Sequence, residues 1–292
     1  MIHFLFILIT SVLKIWRVAG DSESSSFWPD GPFGLPEPVS GCPKGGKWLR
    51  GSVYQNTEDE MNTNSHSVEY HLKGRFDDQG IEMRFCIKPG EGTAAANWPK
   101  GSYCILKYET CPQNFEEGEV FWQDEKSTSQ IPNLKEGIVP DGIYNLTSTL
   151  IKFCCMDSGN SSQPILLPTE DSFYLFPMRN ECQQVKNMDV FQEWIHFDDD
   201  DEGNTDYTSG RVPFGVNPQE DYNVNLILCY YTESIKVSPQ EGISMKQEPS
   251  TNNTSKTSFP ILGISLTASF VVLAAISVFV LIKLNLLKPL MN

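Results

Sequence analysis

Two acidic clusters in this chain have residue types that could bind a ligand. In the first, Asp124 and Glu125 come directly after Phe121 and Trp122. An aromatic ring beside a carboxylate suits a sugar, because the ring can stack on the pyranose face while the carboxylate accepts hydrogen bonds from hydroxyl groups. The alternative is that Trp122 belongs to the core and the acids to the surface. We take Trp122, Asp124 and Glu125 as the candidate ligand contacts.

The second cluster is a run of five acidic residues followed by glycine and asparagine. It consists of Asp198, Asp199, Asp200, Asp201 and Glu202. So many carboxylate oxygens in one loop suit calcium, although the ligand spacing of an EF-hand is not matched. A solvated surface turn explains the same run without a metal. Calcium is therefore the one cofactor that the sequence suggests.

Sequence motifs of enzymes do not occur. The segment 21–259 contains three histidines, His66, His71 and His196, and none belongs to an H-x-x-x-H pair. The chain also has no G-x-S-x-G elbow, phosphate-binding loop or dinucleotide fingerprint. A glycosidase remains a remote alternative, because its two carboxylates are set by the fold and not by spacing. We therefore predict a protein that is not an enzyme and has no catalytic residues.

The cysteines indicate export to an oxidising compartment. They all lie within 21–259, and they are Cys42, Cys86, Cys104, Cys111, Cys154, Cys155, Cys182 and Cys229. An even number in an exported chain predicts four disulfides, but eight cysteines allow on the order of 100 pairings, so the pairing is left open. The adjacent Cys154 and Cys155 would point to opposite faces of a strand and should take different partners.

The same segment carries a strong negative charge. It holds all 37 acidic residues of the chain but only 18 of the 22 basic ones, which gives a net charge of −19. Such a surface repels nucleic acid and anionic lipid, so nucleic acid is excluded as a partner. Cations, basic proteins and neutral glycans are compatible with this charge.

Both ends of the chain predict membrane targeting. Residues 1–20 contain an apolar run and end on small residues, as a cleavable signal peptide does. Two basic residues follow the apolar run, so an uncleaved signal anchor is the alternative. Residues 261–282 carry no charge and are long enough to cross a bilayer as a helix. A lipid anchor that replaces this span is the alternative there.

We therefore predict a single-span type I protein at the plasma membrane. Its parts are a signal peptide at 1–20, an extracellular domain at 21–232, a polar stalk at 233–259, a transmembrane helix at 260–282 and a cytoplasmic tail at 283–292. Lys283 and Lys288 follow the span, and basic residues mark the cytoplasmic side. The tail is short, so signalling would need a partner subunit. Shedding of the domain into the extracellular space or matrix is the alternative to permanent anchoring.

Four N-x-S/T sequons predict N-glycosylation of the exported chain. Asn145 and Asn160 lie in the domain, and Asn252 and Asn253 lie in the stalk. Because glycans need solvent, we expect these four residues on the surface.

The domain is predicted to consist of short strands. Residues 81–88 and 68–73 alternate between apolar and polar side chains, which is typical of half-buried strands. Further strand-like runs lie at 103–108, 120–122, 149–155, 173–176 and 225–232. Only 184–194 suggests a helix, because apolar residues recur there every three positions. The predicted fold is all-β, a disulfide-stabilised β-sandwich, followed by one transmembrane helix.

A turn motif, P-x-G-x-aromatic, occurs three times in the domain. The copies lie at 29–33, 99–103 and 140–144. Proline presets the backbone angle of the turn, glycine relieves its steric strain, and the aromatic residue starts the next strand. The uneven intervals indicate turns and not a repeat architecture.

Short motifs follow one another in a recognisable order along the domain. They are W-P-D-G-P-F-G-L-P at 28–36, G-C-P at 41–43, F-C at 85–86, W-P-K-G-S-Y-C-I at 98–105, C-P at 111–112, P-D-G-I-Y at 140–144, F-C-C at 153–155, L-P-T at 167–169, F-Y-L at 173–175, C-Q at 182–183 and C-Y-Y at 229–231. In this order they resemble the apextrin C-terminal domain family. The resemblance covers about residues 27–232 and includes all eight cysteines.

Two departures from the family pattern bear on function. The family's D-x-E-D motif corresponds to 123–126, where the sequence is Q-D-E-K and both outer aspartates are replaced. If that motif contacts ligand, binding is weakened or altered in this chain. A second motif, P-F/Y-Y-L, has Ser172 in place of its proline, and we expect this change to affect a turn.

The resemblance implies recognition outside the cell. Family members are extracellular proteins of invertebrates, and some recognise bacterial cell walls through the muramyl dipeptide of peptidoglycan. Many add a pore-forming N-terminal domain, for which the residues before 28 leave no room, so we expect no lysis. We expect a cell-surface binding protein for microbial glycan, acting in innate immunity or adhesion. The alternative is an acidic matrix protein associated with calcium mineral, which the charge and the run at 198–202 favour.

Overall fold

The described residues of the domain form fourteen β-strands in the computed structural model. The described residues are 27–57, 64–77, 79–90, 98–124, 132–198, 205–217 and 223–234. Within these ranges no helix is long and apolar enough to cross a membrane. The predicted signal peptide, nearly all of the predicted stalk, the predicted span and the predicted tail lie outside the described residues and stay predictions.

The strands are numbered in chain order. They are β1 (Phe33–Pro36), β2 (Leu49–Asn56), β3 (Ser65–His66), β4 (Phe76–Asp77), β5 (Gly80–Lys88), β6 (Ser102–Leu106), β7 (Glu116–Gln123), β8 (Leu134–Gly137), β9 (Gly142–Asn145), β10 (Ser148–Asp157), β11 (Phe173–Pro177), β12 (Met188–Phe197), β13 (Tyr207–Gly210) and β14 (Val224–Glu233). These bounds match the strand-like runs of the sequence at 81–88, 103–108, 120–122, 149–155, 173–176 and 225–232.

Every strand pair is antiparallel, and hydrogen bonds link all fourteen strands into one branched network. The main path runs β3-β12-β14-β11-β6-β1-β5-β2-β8. Strand β10 branches from β6 and carries β7 and β9, while β13 pairs with β7 and β4 with β5. The predicted all-β class is confirmed. The two-layer sandwich is a finer statement that this pairing does not test, and it stays a prediction.

Alternating side chains of β6 and β10 face two different hydrophobic cores. On β10, Phe153 and Cys155 pack into the first core, whereas Cys154 and Met156 pack into the second. The first core is completed by buried residues of β2, β5, β7, β11, β12 and β14. The second core is rich in aromatic rings, among them Trp28, Phe33, Trp98, Phe173 and Tyr231. Removing these apolar surfaces from water supplies the main favourable term for folding.

The alternation that the sequence predicts for two strands is confirmed. In β5, Ile81, Met83 and Ile87 are buried in the first core. In β14, Leu226 and Leu228 face the same core. Because side chains of a strand alternate with a period of two, the pattern identifies the buried face correctly.

The predicted helix at 184–194 is wrong. Met188–Phe197 forms strand β12, which pairs with β14 along all of its ten residues. Val185 and Met188 pack in the second core, whereas Phe191 points to the other face of β12. The spacing of three therefore did not mark one helix face. Pairing with a neighbouring strand outweighs a short local period.

The predicted strand at 68–73 is also wrong. This segment makes one isolated bridge, between Leu72 and Pro38, and otherwise crosses the first core as a covering loop. Leu72 is buried and Tyr70 packs against the same core, but Val68 is fully exposed. The alternation reflects contact with the core and not membership of the sheet.

All eight cysteines are paired in four disulfides, as the sequence predicts. The pairs are Cys42–Cys86, Cys104–Cys155, Cys111–Cys154 and Cys182–Cys229. Cys154 and Cys155 take different partners because they point into different cores. The partners are 43 to 51 residues apart in sequence, and closing a loop of that length stabilises a fold by about 4 kcal/mol.

The recurring turn motif builds the same contact twice. The hydroxyl of Tyr103 donates a hydrogen bond to the carbonyl of Pro99 at 2.7 Å, and that of Tyr144 donates to the carbonyl of Pro140 at 2.9 Å. Each tyrosine thus ties the start of a strand to the turn before it. A Cβ on Gly101 would lie 2.7 Å from the Tyr103 ring, so the motif requires glycine there.

Replacing one of the two adjacent cysteines should release one specific partner. Cys154→Ser should leave Cys111 as a free thiol, and Cys155→Ser should leave Cys104 free, because the remaining neighbour points into the other core. Alkylation under denaturing, non-reducing conditions followed by peptide mass mapping identifies the free thiol. Each variant is the matched control for the other, and release of the same thiol in both would contradict the pairing.

Candidate functional site

Trp122, the aromatic member of the predicted ligand site, lies in the first core. It sits near the end of β7 with 1% of its surface exposed, and its ring centroid lies 6.0 Å from that of Phe197. The strand register pairs Trp122 with Thr149 of β10, and Phe121 before it with Tyr207 of β13. The indole therefore has no open face on which a sugar could stack.

Asp124 is buried as well, with 8% of its surface exposed. Its Oδ1 accepts a hydrogen bond from Nδ2 of Asn133 at 3.0 Å. Burial raises the pKa of this carboxyl to about 7, the amides of Asn133 and Gln55 oppose the rise, and the charge of Asp206 adds to it. Asp124 therefore changes its protonation near neutral pH, where an ordinary aspartate is fully ionised.

Asp206 is the second buried carboxyl of this region, with 9% of its surface exposed. Its Oδ1 accepts a hydrogen bond from the backbone N–H of Gln123 at 2.9 Å. Burial raises the pKa of Asp206, and the bond from Gln123 opposes the rise. We refer to Gln55, Asp124, Asn133 and Asp206 as the polar end of the first core.

The remaining predicted ligand residues lie almost entirely outside the described ranges. Glu125 and residues 199–202 lie outside these ranges, whereas Asp198 is described. The backbone N–H of Asp198 donates to Oδ1 of Asn64 at 3.0 Å. Over the described part of the chain, no three histidine, cysteine, aspartate or glutamate side chains come together as a metal site. Calcium binding by the run at 198–202 stays a prediction.

An open groove lies near the opposite end of β12. It has a volume of about 400 Å³ and is lined by Glu69, Tyr70, His71, Phe191, Tyr230 and Thr232. Phe191 and Tyr230 face each other across the β12–β14 pair. Phe191 is 44% exposed although it is aromatic. Ligand pockets of this size combine apolar walls with a few polar groups, as this groove does.

His71 is held in a fixed orientation at the groove. Its ring stacks on Tyr230, with centroids 4.3 Å apart and planes 1° from parallel. Its Nδ1 lies 2.7 Å from Oε1 of Glu193, and its backbone N–H donates to Oε2 of Glu193 at 3.1 Å. Because a carboxylate accepts, Nδ1 carries the proton. The partly exposed ring thus keeps Nε2 for a hydrogen bond with a ligand.

Glu193 is a buried carboxylate whose oxygens are both bonded. It is 1% exposed, and the hydroxyl of Tyr174 donates to its Oε2 at 2.7 Å. Burial, and then the hydrogen bond to Glu193, raise the pKa of Tyr174, so this hydroxyl remains a donor. Together with the two donors of His71, Tyr174 surrounds the carboxylate with hydrogen bonds, which offsets the cost of burying its charge.

Sequence reasoning missed this groove. His71 and Glu193 are 122 residues apart, and only the fold brings them together. One signal was present: Glu193 takes the inner position in alternation with Ile195 and Phe197 on β12, where an apolar residue is the rule. The helix interpretation of 184–194 concealed that alternation.

Two of the four predicted glycosylation sites are described, and one of them lines a second pocket. Asn145 and Asn160 are both exposed, as the glycosylation predictions require, while Asn252 and Asn253 lie outside the described residues. Asn160 lines a pocket of about 490 Å³ together with Arg179 and other polar residues. A glycan on Asn160 would cover this pocket, since the acceptor is part of its wall. The groove at His71 is therefore the better candidate for a ligand.

Replacing Asp124 with asparagine should make stability less dependent on pH. Folding raises the pKa of Asp124 from an ordinary 3.8 to about 7, so the folded protein binds the proton more tightly than the unfolded chain. The contribution of this group to stability is therefore greatest in acid and falls as the pH rises through that window. A shift of this size corresponds to roughly 4 kcal/mol at most.

We expect Asp124→Asn to raise the free energy of unfolding above pH 7 and to change it much less near pH 4. Urea unfolding in buffer with EDTA at both pH values measures the difference. Asp30→Asn, at an exposed position, is the control and should have no such effect. If Asp124→Asn changed the free energy of unfolding equally at the two pH values, the carboxyl of Asp124 would not have the raised pKa that its burial predicts.

Comparison with known proteins bears on the whole domain. Residues 28–231 match the family described as the C-terminal domain of apextrin. That range includes the eight cysteines, the three turn motifs, the polar end and all but one residue of the groove, Thr232. No curated protein and no solved structure gave a match. Since the match spans well over half of its residues, the chain belongs to the apextrin C-terminal domain family.

Proposed function

We propose that this domain is a non-enzymatic binding domain outside the cell that recognises bacterial cell-wall glycan through the groove at Phe191 and His71. One observation carries the proposal: an exposed aromatic ring lies beside a hydrogen-bonding group that is already held in place. The family resemblance points to peptidoglycan and its muramyl dipeptide as the ligand class. Such a ligand offers sugar faces for stacking and hydroxyl and amide groups for hydrogen bonds.

The aromatic part of the groove supports sugar binding. Phe191 exposes 44% of its surface, which costs free energy unless a partner covers it. Tyr230 lies opposite Phe191 on the neighbouring strand β14, lines the groove and is itself almost buried. A sugar ring that stacks on Phe191 would remove this apolar surface from water.

The polar part of the groove is preorganised. His71 is fixed from two sides, by stacking on Tyr230 and by hydrogen bonds to Glu193. A ligand that bonds to its Nε2 does not have to order the ring first, so less conformational entropy is lost on binding. The hydroxyl group of Thr232 and the carboxylate of Glu69 provide further hydrogen-bonding positions at the rim.

The carboxylates near the groove support binding over hydrolysis. A glycosidase needs one carboxyl group to donate a proton and a second to attack or to activate water. Glu193 accepts hydrogen bonds at both oxygens from His71 and Tyr174 and does not line the groove. Glu69 is the one carboxylate among the groove residues.

The location of the domain follows from its disulfides. Four disulfides in one domain indicate an oxidising, extracellular environment. Anchoring through residues 260–282 is part of the proposal, and with a tail of ten residues at 283–292 any signal would pass through a partner subunit. The domain would then present its groove to microbes at the cell surface.

Replacing Phe191 with alanine should weaken retention on insoluble peptidoglycan roughly tenfold, because loss of a stacking ring costs on the order of 1–2 kcal/mol. Trp194→Ala is the matched control: Trp194 lies on the same strand with 41% exposure but outside the groove. The full-length protein in detergent is incubated with peptidoglycan, with and without muramyl dipeptide as competitor, and with calcium carbonate in parallel.

Retention that muramyl dipeptide abolishes, and that Phe191→Ala weakens but Trp194→Ala does not, is the expected result. If Phe191→Ala and Trp194→Ala bound peptidoglycan equally well, the groove would not be the binding site. Failure of the wild-type protein to bind peptidoglycan, together with retention on calcium carbonate that EDTA reverses, would favour the acidic matrix role instead.

A further inference from the structure

The hairpin of β9 and β10 carries one of the predicted glycosylation sites. Its turn consists of Leu146 and Thr147, and the register pairs Asn145 with Ser148. Asn145 and Thr147, the two residues that define this N-x-T sequon, are both exposed. The folded domain therefore has room for a glycan on Asn145.

Three exposed aliphatic side chains lie around this asparagine. Leu134 of β8 and Ile143 of β9 each expose 52% of their surface, and Leu146 of the turn exposes 67%. We refer to Leu134, Ile143 and Leu146 as the aliphatic patch. Single exposed apolar residues are common on protein surfaces, but a group of them normally marks a surface that something covers.

Ile143 and Asn145 lie on the same face of β9. Tyr144 between them packs against the first core. Because side chains of a strand alternate between its two faces, Ile143 and Asn145 point away from that core.

Strand β8 lies beside the hairpin and adds its leucine to the same face. The backbone N–H of Asn133 donates to the carbonyl of Leu146 at 3.1 Å, and Nζ of Lys135 lies 5.6 Å from the centroid of the Tyr144 ring. These two contacts run in antiparallel order, so Leu134 comes beside the asparagine of the sequon. Since Lys135 approaches Tyr144 on the side of the first core, Leu134 points to the other side.

The amide group of Asn145 is held in place. Its Nδ2 donates a hydrogen bond to Oγ of Ser148 at 3.2 Å. A side-chain amide has two N–H groups, so a glycan can replace one hydrogen while the other keeps this bond. The first sugar would then leave the domain in a fixed direction, next to the aliphatic patch.

We propose that Asn145 carries an N-linked glycan whose first N-acetylglucosamine units pack on the aliphatic patch. The C–H face of these sugars removes the three aliphatic side chains from water, while their hydroxyl groups stay hydrated. The glycan is then a structural part of the domain. It also screens β9, which pairs with β10 alone among the described strands, from pairing with a strand of another chain.

The proposal does not depend on the groove. It requires export through a secretory compartment, which the four disulfides indicate. None of the residues that line the groove belongs to the aliphatic patch.

Asn160 provides a matched comparison within the same chain. It is exposed and begins a sequon, but the pocket wall around it is polar and consists otherwise of Gly159, Ser161, Arg179, Asn180 and Glu181. A glycan on Asn160 would cover no apolar side chain of this wall. Its loss should therefore have little effect on stability.

Removing the sequon at Asn145 should lower the melting temperature. Full-length protein from a eukaryotic secretory host is compared in detergent as wild type, Thr147→Ala, Thr147→Ser and Asn160→Gln. Thr147→Ala abolishes the sequon and leaves Asn145 in place, whereas Thr147→Ser keeps the sequon. We expect Thr147→Ala to melt roughly 2–4 °C below Thr147→Ser, and Asn160→Gln to melt like the wild type. Peptide mass mapping after enzymatic glycan release in heavy-oxygen water identifies the modified asparagines.

A double-mutant cycle tests the contact between glycan and patch. Ile143→Ser combined with Leu146→Ser removes most of the aliphatic surface but leaves the sequon intact. In this background, Thr147→Ala and Thr147→Ser should melt at nearly the same temperature, because the glycan has little apolar surface left to cover.

The wild-type protein gives a second readout that needs no substitution. Peptide N-glycosidase must reach the bond between the sugar and the asparagine, and packing on the patch hinders that access. We expect the glycan of Asn145 to be released from the folded protein several-fold more slowly than that of Asn160. After denaturation the two glycans should be released at the same rate.

Each of the other outcomes overturns the proposal. An unmodified Asn145, with dimers in sedimentation that Ile143→Ser disrupts, would assign the patch to a second copy of the chain. A glycan on Asn145 that is released as fast as that on Asn160, and whose loss leaves the melting temperature unchanged, would be a surface modification without packing. Peptidoglycan retention by Thr147→Ala should equal that of the wild type, so failure here leaves the groove proposal standing.

Discussion

Successive side chains of β6 and β10 point into two different cores, and this alternation governs strand register and cross-linking throughout the domain. Each of these strands separates two cores, so successive residues must suit two different apolar environments. Cys154 and Cys155 show the consequence, because one bridge leaves each face of β10. With both faces of β10 buried and cross-linked, its register with β6 and β7 cannot slip without reversing every side chain.

Buried carboxyl groups lie at two places beside the first core, next to the groove and at the polar end, and their surroundings differ. At the groove, Glu193 accepts hydrogen bonds from His71 and Tyr174 and is satisfied within the protein. At the polar end, burial raises the pKa of both Asp124 and Asp206, and the amides of Asn133 and Gln55 oppose the rise at Asp124. A satisfied carboxylate rigidifies its neighbours, whereas an unsatisfied one favours a proton or a ligand.

The departures from the family pattern gain a physical meaning in this fold. Gln123 and Asp124 fall within the sequence that corresponds to the family's acidic motif, yet both face described partners inside the domain. Gln123 joins β7 to Thr205 and Asp206 through its side chain and backbone, so a neutral residue here is compatible with a structural contact. These two residues of the motif therefore belong to the region of the polar end and do not line the groove.

Local patterns were sufficient to predict the all-β class, the strands β5, β10 and β14 and the separate partners of Cys154 and Cys155, because period-two alternation involves only neighbouring residues. It did not determine the strand at β12, since its pairing with β14 is a tertiary interaction. Which polar residues come into contact became clear only in the folded domain. Trp122 became core, and His71 met Glu193 across 122 residues, because side-chain contacts between distant strands depend on sheet order and register, which no local pattern records.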